Sequence, residues 1–178
     1  MGFSPKHPQD LNKEMQTNTL LPQIVYGGAS VFSKRFTIDD GIQYIGLSVP
    51  AGREIHIAER LLTLPQGIYE VDILRCDSFT TTSATDMIQS ILHRDVDDIQ
   101  STFKVGVTSP VNMVLKEEGY VNTGIAGGTG GNRRVTAALS LDAVYKTFTG
   151  NAVIRINKLG TDGTDTANII IIAWEVNA

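Results

Sequence analysis

The stretch "GIAGGTGGNRRV", residues 124–135, has the composition of a phosphate cradle: five glycines, a threonine and an asparagine run into Arg133 and Arg134. A nucleotide-binding P-loop, however, needs G-x-x-x-x-G-K-[ST] between a strand and a helix. Here no Lys-Ser/Thr pair follows the glycines, and the next segment, "RVTAALSL", has strand character. A dinucleotide fingerprint needs a βαβ unit, which is equally lacking. The stretch therefore reads as a long surface loop whose glycines are free to take positive φ, a contact loop before an active site. If a strand begins at Arg133, then Arg133 and Arg134 point to opposite faces. One of them is then available, beside Asn132, to a carboxylate at a subunit boundary. The alternative is two solvated arginines of little energetic weight.

Other residue types capable of chemistry are scattered. His7, His56 and His93 have no zinc spacing. "RDVDDIQ" and "GTDGTDTAN" gather carboxylates, but neither matches the calcium loop D-x-[DN]-x-[DN]-G, so solvated acidic turns are expected. No G-x-S-x-G elbow exists. Cys76 ends an apolar run and reads as a small buried hydrophobe. Glu54 and Glu70 are the one pair that could face each other across neighbouring strands as glycosidase carboxylates do, though such pairs are routine on a wet sheet face. The reading is a protein without catalytic residues, cofactor or metal.

The elements that position these residues are strands. At 178 residues and a net charge of −4, the chain fits one domain with an appendage. A domain of this size buries roughly 70% of its unfolded surface without a disulfide or metal staple. Dispersed basic residues argue against nucleic acid as a partner, and the longest aliphatic run, Ile169 to Trp174, is too short to span a bilayer. The opening "MGFSPKHPQD" lacks the apolar core of a signal peptide, so a soluble protein made in a cytoplasm is expected.

From Tyr26 onward β-prone runs recur: "VFSKRFTI", "IQYIGLSV", "REIHIAERLLTL", "IYEVDILRC", "TFKVGVT", "NMVLKEEGYV", "RVTAALSL", "NAVIRINKL" and "NIIIIAWEV". Asp39-Asp40-Gly41, "PAG" and "PQG" supply turns. Tyr69, Val71 and Ile73 share one face and Glu70 and Asp72 the other; Ile154 and Ile156 face in, Arg155 and Asn157 out. The last run is apolar on both faces and is expected at a sheet centre. "DSFTTTSATD" reads as a loop, and "MIQSILHRDVDDIQ" has the only helical period. The fold class is all-β: an antiparallel β-sandwich or jelly roll with little helix.

Residues 1–23 differ from the domain at 24–178. They are polar, with three prolines and few apolar residues, and cannot offset their own ordering entropy by burial. They are expected to be a loose tail or an extended arm that orders on a partner, with Leu11, Leu20, Leu21 and nearby Tyr26 filling pockets on a neighbour.

The second half of the chain resembles a group of small virion proteins of tailed bacteriophages that decorate or cement the capsid. The resemblance lies in "NTGIAGGTGGNRRV" before a strand, then "AVIRI", then an apolar C-terminal strand ending "AWEV", with "EIHIAER" loosely similar. It implies a β-sandwich accessory protein without cofactor, bound in the virion to the major capsid protein or another virion protein. By analogy with such proteins a homotrimer is expected. The arm matches no part of that group. The alternatives are a tail-, neck- or fibre-associated adsorption or carbohydrate-binding sandwich, which calls for exposed aromatics, and a cupin-type enzyme, which calls for clustered histidines.

Overall fold

A computed structural model describes residues 29–65, 67–91, 99–122, 146–159 and 164–178. Among the described residues twelve strands form two antiparallel sheets and no helix occurs. The five-stranded sheet has the order β10-β3-β12-β1-β7, comprising β10 (Lys146–Phe148), β3 (Arg53–Thr63), β12 (Asp165–Asn177), β1 (Ala29–Ile38) and β7 (Ile88–Ile91). The seven-stranded sheet has the order β5-β8-β2-β11-β4-β9, with β6 (Thr85–Asp86) also paired to β8. Its other members are β5 (Ser78–Thr80), β8 (Thr102–Val111), β2 (Gly41–Ser48), β11 (Ala152–Lys158), β4 (Ile68–Arg75) and β9 (Val114–Asn122).

One apolar core joins the sheets. Phe32, Ile55, Ile57, Ile169 and Ile171 from one sheet meet Ile45, Leu47, Val71, Ile73 and Ile156 from the other. The rings of Phe32 and Phe103 lie 4.7 Å apart across the gap. β12 is the middle strand of its sheet, as expected from its apolar run.

Most connections cross between the sheets. Asp39-Asp40-Gly41 does turn the chain, with Gly41 at φ +94°, but it carries β1 of one sheet into β2 of the other instead of closing a hairpin. The turn is tied down: Thr164 Oγ1 donates to Asp39 at 2.7 Å, and buried Lys158 reaches Asp40 at 3.3 Å.

Two sequence expectations change, and one strand departs from simple alternation. The helical period at "MIQSILHRDVDDIQ" yields a strand at its start, because β1 presents an open edge and residues 88–91 pair with it; residues 92–98 lie outside the described residues. "DSFTTTSATD" contains β5 and β6, both pairing with β8. In β3 the in-out alternation runs only through Ile57. Ala58 is an extra residue in the ladder with β12, a bulge that reverses the parity. Arg60 is thereby turned into the sandwich, where it meets Glu117 of the opposite sheet at 3.1 Å. Burial pushes its guanidinium down to about 10, so it stays charged at neutral pH and the contact is an ion pair between the sheets.

Candidate interaction surface

The seven-stranded sheet brings its two ends together at one rim. β4 ends at Arg75, paired with Val114 at the start of β9. Two residues on, the N–H of Asp77 donates to the carbonyl of Val111, the last residue of β8, at 2.9 Å. β8, next to one edge of the sheet, and β9, at the other edge, are thus joined by Asn112 and Met113 alone. The chain makes this crossing by bending β8. Gly106, at φ +82°, is an extra residue against β2, and Ser109, at φ +50°, lies where the β5 ladder shifts register. Asn112 takes φ +53°, a left-handed conformation that asparagine tolerates and serine less so. Such backbone outliers cluster where a site is held in place by its surroundings.

Below the crossing is an open cleft of about 480 Å3. Asn112 donates to the Asp77 carboxylate at 2.6 Å, and Asn151 to the Asp77 carbonyl at 2.7 Å. Arg75 donates to Thr149 Oγ1 at 2.9 Å and to its carbonyl at 3.3 Å. Lys116 completes the charged lining. Cys76 is buried against this wall, and burial with the nearby Asp77 pushes its thiol up, so it is protonated and a poor nucleophile at neutral pH. The rim at the cleft is apolar and open to solvent: Val114, which lines the cleft, is 55% and Leu115 51% exposed, with Val111 and Met113 close behind. Val114 pairs with Arg75 and Leu115 with Leu74, so the two point to opposite faces of β9 and the braced rim presents aliphatic surface on both its sides.

The sheet edges are less suited to contact. β5, β7 and β10 are three or four residues long. β9 is longer, but Lys116 is an extra residue in its ladder, and a bulged lysine blunts an edge against further pairing.

The residues singled out from sequence fare differently. Leu11, Leu20, Leu21, Tyr26, Asn132, Arg133 and Arg134 all lie outside the described residues, as does the glycine loop. Glu54 and Glu70 do not face each other, because the chain crosses sheets between β3 and β4. Glu54 instead meets His56 Nε2 at 2.9 Å, and Glu70 accepts from Asn157 at 2.9 Å. His56 also stacks on Trp174, with ring centroids 5.1 Å apart, and contacts Thr147 Oγ1 at 3.3 Å. In the closing "AWEV", Glu175 accepts from the N–H groups of Gln100 and Ser101 at 3.2 and 2.8 Å and from the Ser101 hydroxyl, pinning that loop to β12. Among the described residues no three His, Cys, Asp or Glu side chains gather as a metal site.

Of the rim residues 75–77, 111–116 and 149–151, sequence reasoning singled out Cys76 alone, as the buried hydrophobe it is. Their one local signal is Met113-Val114-Leu115, an apolar run that does not alternate with polar residues.

The chain matches no protein-family model, no curated protein and no solved structure.

Proposed function

We propose that this protein is a non-catalytic structural component of a bacteriophage virion, a decoration or cement protein that binds the major capsid protein on the outer shell and steadies the head. The observation that carries the reading is the exposed aliphatic rim at Val111–Leu115, held on a hydrogen-bonded turn. A protein that grips a finished shell needs a rigid contact patch that requires no refolding of either partner, and preorganisation of this kind lowers the cost of binding. The cleft beneath supports the same reading. Asp77, Asn112, Asn151 and Arg75 spend their polar groups on one another and on Thr149, and the one thiol is protonated.

The resemblance in "NTGIAGGTGGNRRV" and "AVIRI" adds to this reading; "AWEV" adds less, because Trp174 and Glu175 have evident structural tasks. Self-association, as a trimer at a local threefold position, belongs to the proposal by analogy with capsid decoration. The carbohydrate-binding alternative has less support, since Trp174 is 7% exposed and covered by His56. The test is mass spectrometry of purified particles from the genome that encodes the chain. The expected result is this chain in many copies per particle; particles free of it would overturn the proposal.

A further inference from the structure

The cleft at the rim carries charge that the chain leaves uncompensated. Arg75 and Lys116 line it together with Asp77, the one acidic residue of the lining. Arg75 has five N–H donors, yet among the described residues only Nη2 is in use, on the hydroxyl and the carbonyl of Thr149, and both are neutral. Lys116 has no ion-pair partner among the described residues; Glu117 beside it meets Arg60 of the other sheet at 3.1 Å. The Asp77 carboxylate is engaged by Asn112, which donates to it at 2.6 Å. Two cations therefore face one acid, in a chain whose net charge is −4.

The fold sets both cations at one place. Arg75 ends β4 and pairs with Val114, so the two side chains stand on the same face of the sheet. Thr149 holds the guanidinium against the connection between β10 and β11, which turns at Gly150 with φ +86°. Lys116, the extra residue of the β9 ladder, lines the same cleft as Val114. The bulge lets its neighbour Glu117, paired with core residue Ile73, turn into the sandwich. The carboxylate nearest to Lys116 in sequence is thereby taken up by Arg60.

A guanidinium with parallel N–H donors, beside an ammonium, suits a carboxylate, which accepts from both. A phosphate brings up to about two negative charges, which a carboxylate in the same lining opposes. Val114 also lines the cleft and is 55% exposed, so whatever adjoins the charge meets an aliphatic surface. We infer that the cleft seats an acidic side chain of a partner polypeptide, with its carboxylate on Arg75 and Lys116 and an adjoining aliphatic side chain on Val114. That the polypeptide is capsid protein rests on the proposed function; the chemistry of the seat does not.

Backbone amide chemical shifts of the full chain test the seat. The probes are a capped tripeptide with glutamate between two leucines, the same peptide with glutamine, and inorganic phosphate. The glutamate peptide should shift the amides of residues 75–77, 112–116 and 149–151. The glutamine peptide should bind there about tenfold more weakly, the scale of one lost charge-assisted contact. Lys116→Gln should weaken the glutamate peptide about fivefold, the upper end for an exposed ion pair, and leave the glutamine peptide unchanged. Equal binding of the two peptides would overturn the inference, as would shifts confined to other parts of the chain. Phosphate binding more tightly than the glutamate peptide would overturn it too, by showing a phosphate seat. The wild-type comparison stands even if the variant fails to fold. None of these measurements uses particles, so the seat stands or falls apart from the virion reading. Conversely, attachment of Lys116→Gln to particles at wild-type strength in low salt would overturn the seat and leave that reading in place.

Discussion

The two outward faces of the sandwich solve the same problem differently. On the seven-stranded sheet, Leu74, Cys76 and Val153 point away from the core, and the chain covers them itself: β8 bends past the sheet with β5, laying Phe79 and Val107 over this half. The other half of that face pairs polar side chains across strands, Arg155 with Asp72 in an ion pair and Asn157 with Glu70 in a hydrogen bond. On the five-stranded sheet, Ile170, Ile172, Leu61 and Val31 also point away from the core, yet the described strands lay nothing over them. Alternation alone does not say whether an outward apolar residue is solvated or sealed. The register and the path of a later strand decide that.

The largest effect should come from breaking the charged half of the sealed face. Asp72 is 1% exposed and accepts from Arg155 Nε at 2.8 Å, with a second contact from Nη2. Removing one partner of a buried pair strands the other, at a typical cost of 3–5 kcal/mol. Arg155 keeps 31% of its side chain exposed and can turn toward water, so Asp72→Ala is expected at the low end, about 3 kcal/mol. Urea unfolding measures it. A loss below about 0.5 kcal/mol, the scale of an ordinary surface change, would show that the ladder does not hold the face.

A smaller loss is expected where the cover touches the sheet. A Cβ at Gly46 would come within 2.8 Å of both the Phe79 ring and Val107 Cγ1. Glycine is required here by close approach, and Gly46→Ala should cost about 2 kcal/mol, as overpacking does. In a Phe79→Ala background the same substitution should cost less, because half of the obstruction is gone. Equal costs in both backgrounds would mean that Phe79 is not the lid.

How far the sequence foretells these faces depends on what each feature needs. "VFSKRFTI" and "AVIRIN" are legible because alternation is local. The second half of β3 is not, because the Ala58 bulge reverses parity and sends Arg60 inward, and nothing in "AERLL" marks a bulge. Asp39-Asp40-Gly41 announces a turn but is silent on which sheet the next strand joins. Met87, Ile88 and Ile91 have helical spacing, yet the open edge of β1 captures 88–91 as a strand, tertiary context overriding a local period. The rim is the least legible region. Asp77, Val111 and Asn151 are far apart in sequence and meet only because β5 pairs with β8 and β4 with β11.

The open face gives a third, smaller test of the contrast. Ile172 is half-buried, so Ile172→Ser should cost about 1 kcal/mol, the scale of burying part of an aliphatic side chain. Urea unfolding measures it, and a cost of about 3 kcal/mol or more, the scale of a core truncation, would show that this side chain is sealed like those of the other face.

The smallest effect on stability is expected at the rim, and there it separates contact from folding. Val114 and Leu115 are 55% and 51% exposed, so replacing both by serine removes little buried area. The unfolding free energy should stay within about 0.5 kcal/mol of wild type, as for surface changes elsewhere. Under the proposed function these side chains lie at the centre of the contact with the shell, where a few apolar anchors carry most of the binding energy. Loss of two aliphatic anchors at about 1.4 kcal/mol each corresponds to roughly a hundredfold weaker attachment. Cosedimentation of the Val114→Ser/Leu115→Ser variant with particles stripped of the native protein measures that loss. Undiminished cosedimentation would remove the rim from the contact, while a large fall in stability would show that the aliphatics of the rim pack against their own sheet.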